Sequence, residues 1–346
     1  MSKIAQESND YTECYVAFLD ILGFKDMVER SKTDAGVLTD LIRVLNTTAT
    51  ITPTKHTITD NDNRCDANKY AGERQIRSWE TQIRSFSDSV TLFIPTETDA
   101  LADILYKVRY LHDRLLELDC CLRGAVTIGK MYWNDNWSCL EETRQLKNDK
   151  PEKIVQKEII WDRDTSSDAF ITLGPALVEA HELETTVAIY PRVIISPCLM
   201  EYIDKKAKSI PEKATQGIHK AAHVRFLCLP STGNRARCIL DFIRTDFDGI
   251  PFLDMFHRDI DRNDTKRIVR ELPDGKMKWI RDDMTFEKFM RSTRTTIERF
   301  LKEKKTEKVR VKYLWLANYF NSSLKQYNID PLPVSWAHEK YEKSPT

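Results

Sequence analysis

The sequence predicts an α+β protein of the ferredoxin-like or palm type. Three observations lead to that class. CYVAFLD at 14–20 reads as a short buried strand, and TQIRSFSDSVTLFIP at 81–95 reads as two strands around a tight polar turn. Each is followed by a stretch with apolar residues at helical spacing. Hairpin strands backed by helices on one face are the layout of an α+β sheet rather than of alternating parallel units.

In chain order, Gly23 ends the first strand. A helical pattern then runs to about residue 50, with Val37, Leu38, Leu41, Ile42 and Leu45 at helical spacing. Residues 53–79 are polar and read as a long loop or insertion, which is uncommon in a compact domain unless it has a function. In the hairpin, Ile83, Phe86, Val90, Leu92 and Ile94 are the apolar positions and Ser87-Asp88-Ser89 the turn. An amphipathic helix follows at about 97–118, with Leu101, Ile104, Leu105, Val108, Leu111, Leu115 and Leu118 on one side. CLRGAVTIGKMYW at 121–133 reads as strand, glycine turn and strand. Residues 139–162 are charge-rich and end in a short strand, GPALVEAHELE at 174–184 reads as a helix, and RVIIS at 192–196 as a strand.

Beyond residue 200 the pattern changes to a strand pair at 223–229 and 236–243, and then to helix over about 284–326. Phe289, Met290, Ile297, Phe300, Tyr313, Leu316 and Tyr319 are among its apolar positions. The lysine run at 302–305 reads as a helix C-terminus or a solvated face. The order over the first two hundred residues is therefore β–α–ββ–α–β–(insertion)–α–β, followed by a C-terminal strand-and-helix extension.

Composition narrows the function classes. The 346 residues are 41% hydrophobic, enough to bury a core, and lysine plus arginine equal aspartate plus glutamate at 53 each. A net charge near zero argues against a general nucleic-acid binder, which needs excess positive charge to displace counterions. No apolar run reaches the length of a membrane span, and the polar start MSKIAQESNDYTE lacks a signal peptide's apolar stretch. The expectation is a cytoplasmic protein without membrane attachment. The eight cysteines form no CxxC pair, so neither a zinc knuckle nor a dithiol redox site is suggested.

Two acidic residues carry the chemistry. Asp20 closes an otherwise apolar strand, where an ionised carboxylate is costly unless a cation or donor meets it. Asp88 sits between two strands that should pair beside the first. Two carboxylates at neighbouring strand ends can chelate a hard cation such as Mg²⁺ or Mn²⁺, with substrate phosphates completing the shell. Singly, Asp88 also reads as a turn stabiliser and Asp20 as a helix cap; together they favour the metal reading. His219 and His223, spaced i, i+4, lack a third ligand for zinc at a telling spacing. His181 reads as structural or solvent-facing, and Trp133 and Trp137 as packing residues around a hairpin-like turn. Glycines are too scattered for a Walker or Rossmann fingerprint.

YVAFLDILGF at 15–24 resembles the signature strand of the class III nucleotidyl cyclases. RSFSDSVTL at 84–92, LRGAVTIGKMYW at 122–133 and GPALVEAHELE at 174–184 resemble that family's later motifs in the same order. The resemblance spans about residues 12–200, implying a cyclase catalytic domain with a βααββαβ core there and an extension at 201–346 packed on it. It implies two metal ions, Mn²⁺ or Mg²⁺, held by Asp20, Asp88 and the Ile21 carbonyl. With these the ribose 3′-oxygen attacks the α-phosphorus and pyrophosphate leaves.

The departures bear on substrate. The base-reading lysine of purine cyclases is here Arg84, and a second base reader falls on Ile171. The asparagine and arginine that support ribose and transition state align with Val178 and Glu182. The chain is most similar to the Pycsar pyrimidine nucleotide cyclases of antiphage defence, in its length, its polar insertion and its helical end. That likeness implies UTP as substrate, with CTP as the alternative. It also implies a homodimer with shared sites and a cyclic product sensed by a separate effector protein. Phe24, Tyr70, Arg84, Arg123 and Arg192 are the candidate substrate-binding residues: the arginines suit phosphate oxygens, and Tyr70 suits stacking on a pyrimidine. The competing expectation from Val178 and Glu182 is a catalytically silent nucleotide-binding module on the same fold.

Overall fold

A computed structural model describes residues 11–49, 55–59, 76–98, 100–133, 138–147, 150–160, 171–208, 228–229, 237–256, 266–271, 277–282, 286–303, 306–324 and 329–334. Among these, the elements run β1 (Thr12–Leu22), α1 (Phe24–Ser31), α2 (Ala35–Ala49), β2 (Lys55–Thr59), β3 (Ile76–Glu80), β4 (Gln82–Phe86), β5 (Ser89–Pro95), α3 (Leu101–Glu117) and β6 (Cys121–Trp133). They continue with β7 (Ser138–Lys147), β8 (Lys150–Ile160), β9 (Thr172–Leu173), α4 (Pro175–Thr186), β10 (Val193–Ile195), α5 (Pro197–Lys208), β11 (Cys228–Leu229) and β12 (Arg237–Cys238). The rest are β13 (Ile243–Thr245), β14 (Pro251–Leu253), β15 (Lys266–Glu271), β16 (Met277–Asp282), α6 (Phe286–Lys302) and α7 (Glu307–Ser323). The class is α+β with a mixed sheet.

The main sheet has the order β13-β14-β10-β6-β1-β5-β4, and β9 pairs with the far end of β6. β1 lies between β5 and β6, antiparallel to both; β4 is antiparallel to β5, and β10 is parallel to β6. β1 and β4 therefore run the same way with β5 between them, and β5 and β6 do so around β1. Two β–α–β units interlock, and β1 is covered on both sides. That location explains why Cys14, Tyr15, Val16 and Ala17 are all buried, where a half-exposed strand would alternate.

The alternation of β1 still sorts its side chains to two faces. Tyr15, Ala17, Leu19 and Ile21 enter the large core with Leu101, Ile104, Leu105, Val108, Leu111 and Leu115 of α3. Cys14, Val16 and Phe18 belong to a smaller core with Phe93, Met131, Trp133, Ala176, Ala180 and Leu177, against α4. Asp20 has the parity of this second face. Residues beyond 200 join the same body: β14 pairs with β10, and Phe242, Phe252, Phe256, Met290, Trp315 and Phe320 lie in the large core.

Several elements differ from the expectation. The helical stretch after Gly23 is two helices, because Asp34 Oδ1 accepts the backbone N–H groups of Gly36 and Val37 and so caps a new start. Leu38, Ile42 and Leu45 of α2 face outward, although they share the helical spacing of buried Val37 and Leu41. The insertion at 53–79 carries the paired strands β2 and β3 near its ends, and the charged stretch 139–162 carries the paired strands β7 and β8. α5 is an additional helix. The strand pair expected after residue 220 is short among the described residues, only β11 with β12. His219, His223, Asn134, Asn136 and Trp137 lie outside the described residues.

Residues 121–133 form one continuous strand, with no turn at Gly129. A Cβ at 129 would lie 3.2 Å from the Ala176 Cβ, so the glycine serves close approach of α4. Gly129→Leu is therefore expected to destabilise the fold by about 1–3 kcal/mol, the usual cost of overpacking. Urea unfolding measures it; an unchanged midpoint would show that α4 docks less tightly than this.

Candidate active site

The end of β1 is where the chemistry-bearing residues meet. Gly23 has φ 95°, in the left-handed region that favours glycine, and lets the chain leave β1 and enter α1 at once. The Asp88 turn is equally tight: Phe86 pairs with Ser89, leaving Ser87 and Asp88 as a two-residue loop, with Ser87 at φ 55°. Asp20 is directly opposite Ser89, and the Ile21 N–H donates to the Asp88 carbonyl at 2.8 Å. Asp20 and Ser89, as opposed residues, have Cα atoms about 5 Å apart, so Asp88, the next residue in the turn, is a near neighbour of Asp20. Their charges couple directly.

Across β1, Asp20 is opposite Arg123 of β6, and Arg123 Nη2 donates to Asp20 Oδ2 at 2.8 Å. The same nitrogen contacts Glu184 Oε1 of α4 at ion-pair range, without the alignment of a hydrogen bond. Glu184 arrives because Ala176, Ala180 and Glu184, four apart, form the inward face of α4. Its side chain is 3% exposed. Lys312 of α7 completes the cluster, feeling Asp20, Glu184 and Arg123 electrostatically.

Burial pushes the Asp20 and Glu184 carboxyls above their ordinary range, and Arg123 pulls both back. Burial likewise pushes the Lys312 ammonium down, with Arg123 and Lys308 adding to the effect. Three carboxyl groups, of Asp20, Asp88 and Glu184, thus gather at the end of β1 with Arg123 and Lys312 close by. Hard oxygen donors suit Mg²⁺ or Mn²⁺. Among the described residues no group of three or more His, Cys, Asp or Glu side chains is placed to hold a metal ion by itself. Two carboxylates and a carbonyl would form only part of a Mg²⁺ shell, which commonly keeps several waters.

The other expected binding residues divide. Arg123 is at the site. Arg84 shares the sheet face of Asp20, since it is opposite Thr91, which is opposite Phe18. Its guanidinium donates to the Ile83 carbonyl and Gln82 Oε1 at 2.9 and 3.2 Å. Arg192 is corrected. It is 1% exposed and committed to Asp246 and Asp248, with Nη1 3.1 Å from Asp248 Oδ1, and its guanidinium lies over the rings of Tyr190 and Trp315. Phe24 is also corrected: it is buried in the large core, because the turn at Gly23 folds α1 back onto it. Tyr70 lies outside the described residues.

Val178 and Glu182 line an open groove on the outer side of α4 with Tyr11, Leu173, Gly174, Pro175 and Glu179. His181 meets Phe18 edge to face at 5.1 Å.

Sequence reasoning missed three residues. Glu184 has a readable signal, its four-residue spacing from Ala176 and Ala180. Phe86 counted as a core position, yet it is 86% exposed beside Asp88 on the Asp20 face. Lys312 carries no local signal, since only docking of α7 brings it here.

The thiols make a separate prediction. Cys14, Cys120 and Cys121 are buried and Cys198 is exposed. Burial, with Asp40 adding, pushes the Cys120 thiol up to about 12, and burial pushes Cys14 up further. Iodoacetamide at pH 8 should label Cys198 at least about a hundredfold faster than Cys120, read by peptide mass spectrometry. Above about pH 9 the unfolded Cys120 thiol ionises while the folded one keeps its proton. Stability should therefore fall as pH rises from about 9 to about 12.

A scan against protein-family models returns no match, and no curated protein matches the chain significantly. No described helix is long and apolar enough to cross a membrane.

Proposed function

We propose that the chain is a class III-type pyrimidine nucleotide cyclase converting UTP to 3′,5′-cyclic UMP and pyrophosphate. One observation carries the reading: Asp88, in the tight turn between β4 and β5, meets the end of β1 beside Asp20, sixty-eight positions away in the numbering, with its carbonyl accepting the Ile21 N–H. The strand order β6-β1-β5-β4 with helical crossovers supports it, as this is the ferredoxin-like plan on which such cyclases are built. The four sequence motifs occur in that family's order.

Asp20, Asp88 and the Ile21 carbonyl are the residues to hold Mn²⁺ or Mg²⁺, which when bound would make the ribose 3′-hydroxyl a nucleophile near neutral pH and neutralise phosphate charge. In the reaction the 3′-oxygen bonds to the α-phosphorus, the bond to the β-phosphate oxygen breaks, and pyrophosphate departs. Asp20 and Asp88 anchor the polyphosphate end of the substrate. Arg123 and Lys312 supply the positive charge nearest to it. Phe86 and Arg84, further along the same face toward β4, would meet the base: the Phe86 ring by stacking, and the Arg84 guanidinium by hydrogen bonds made in exchange for those to Ile83 and Gln82. CTP is the alternative substrate, since the two bases differ at one exocyclic group and one ring proton. A homodimer with shared sites, a cytoplasmic location and an effector that senses the product in antiviral defence complete the proposal.

The deciding assay incubates the chain with each of the four ribonucleoside triphosphates and Mn²⁺. Cyclic UMP and pyrophosphate are expected in equal amounts. No cyclic product from either UTP or CTP, where a control cyclase works, would remove the reading. The Arg123–Asp20 pair and the outward Val178 favour one rival, a catalytically silent nucleotide-binding module. That rival predicts nucleotide binding that survives loss of Asp88, with no pyrophosphate at all.

A further inference from the structure

We propose that Arg123 is a displaceable latch on Asp20: its guanidinium closes on Asp20 in the cation-free chain, and Glu184 is the seat that keeps it when a divalent cation takes Asp20. The inference rests on the reading of Asp20 and Asp88 as the cation site.

Its basis is the geometry of one nitrogen. Arg123 Nη2 reaches both carboxylates at once, well aligned on Asp20 Oδ2 and misaligned on Glu184 Oε1. Glu184 Oε1 is a deeply buried oxygen without a hydrogen-bond partner, and Arg123 Nε is likewise unpartnered. A buried carboxylate oxygen whose closest contact is misaligned lacks the hydrogen bond it needs, and a better-aligned contact lowers its energy. Releasing Asp20 would let the fork of Arg123 turn fully onto Glu184, forming the hydrogen bond that is now missing. A cation at Asp20 and a guanidinium at the same oxygen repel each other, so the two occupants exclude one another. Backbone register fixes the other end, since Asp20 and Arg123 are directly opposed. Only side-chain torsions need change.

The latch predicts effects of opposite sign at two residues that a purely structural role would move together. Mn²⁺ affinity is measured by electron paramagnetic resonance of the free ion, without nucleotide, on folded full-length protein. Arg123→Gln should bind Mn²⁺ about tenfold more tightly, because nothing competes for Asp20. Glu184→Gln should bind about tenfold more weakly, because Arg123 has no second seat. Arg123→Lys should stay near the parent value.

The double variant decides between a latch and plain charge. If Glu184 acts through Arg123, Arg123→Gln with Glu184→Gln binds like Arg123→Gln alone. If Glu184 attracts the ion only by its own charge, the tenfold loss persists in that background and the latch is overturned. Single variants that both weaken binding, or that leave it unchanged, also overturn it, while loss of binding in Asp20→Asn leaves the cation site standing. Undiminished binding in both Asp20→Asn and Asp88→Asn overturns the cation site and the latch together. Should Glu184→Gln fail to fold, the opposite-sign test moves to Glu184→Asp, whose shorter arm must also weaken Mn²⁺ binding.

Discussion

Asp88→Asn is expected to lower pyrophosphate release from UTP by about a thousandfold or more, while leaving the unfolding midpoint close to that of the parent. The two halves of the result have different causes. Asp88 sits on a half-buried turn, and the bond it gives the fold is its backbone carbonyl accepting the Ile21 N–H. Asparagine keeps that carbonyl. What it loses is one of two carboxylate anchors at the end of the sheet. Electrostatic groups aimed at developing charge commonly supply two to three decades of rate each, and a cation held by one carboxylate loses position as well as affinity. Asp26→Asn is the control: this acidic residue is exposed on α1 and should change neither quantity. Stopped assays with UTP and Mn²⁺, alongside thermal unfolding, read both. Full activity in Asp88→Asn would remove this carboxylate from the site.

Arg192→Met should behave in the opposite way, costing about 3 kcal/mol or more of stability, with Mn²⁺ affinity at Asp20 unchanged wherever the protein remains folded. The arginine is fully enclosed and satisfies two carboxylates at once. Asp246 also accepts the indole N–H of Trp315 at 2.9 Å, so the cluster ties the β13–β14 corner to α7. Removing the cation leaves those two carboxylates together without it, and like charges repel in a poorly solvated place. It also removes the guanidinium that lies against the stacked Tyr190 and Trp315 rings. Urea unfolding gives the energy, and Mn²⁺ titration of the folded variant gives the second half. A stable variant that has lost Mn²⁺ would return Arg192 to the binding residues.

These two arginines mark how far the sequence could be read. Arg123 and Arg192 each adjoin an apolar strand segment and both suit phosphate, and nothing in their neighbours along the chain separates them. Their different fates come from partners far along the chain: Arg123 faces Asp20 and Glu184, while Arg192 faces Asp246 and Asp248. Phe86 shows the same limit. Apolar character placed it in the core, but β4 is the edge strand and its last residue has no neighbour to bury it. Gly129 was readable as special but not for its reason, since a glycine that makes a turn and one that admits a helix look alike in sequence.

By itself the sequence determined the class of the protein, the strand that carries Asp20, the hairpin that carries Asp88, and the long amphipathic helix between that hairpin and β6. Each of these is written in local periodicity, because burying one face of a helix or strand demands a repeating pattern of apolar residues. Only the tertiary structure decided which charges meet. Cross-strand register set Asp20 against Arg123, and the docking of α4 and α7 brought in Glu184 and Lys312. Pairing between charges depends on distances that close through packing, and a local pattern that marks a face for burial does not say which other face it will meet.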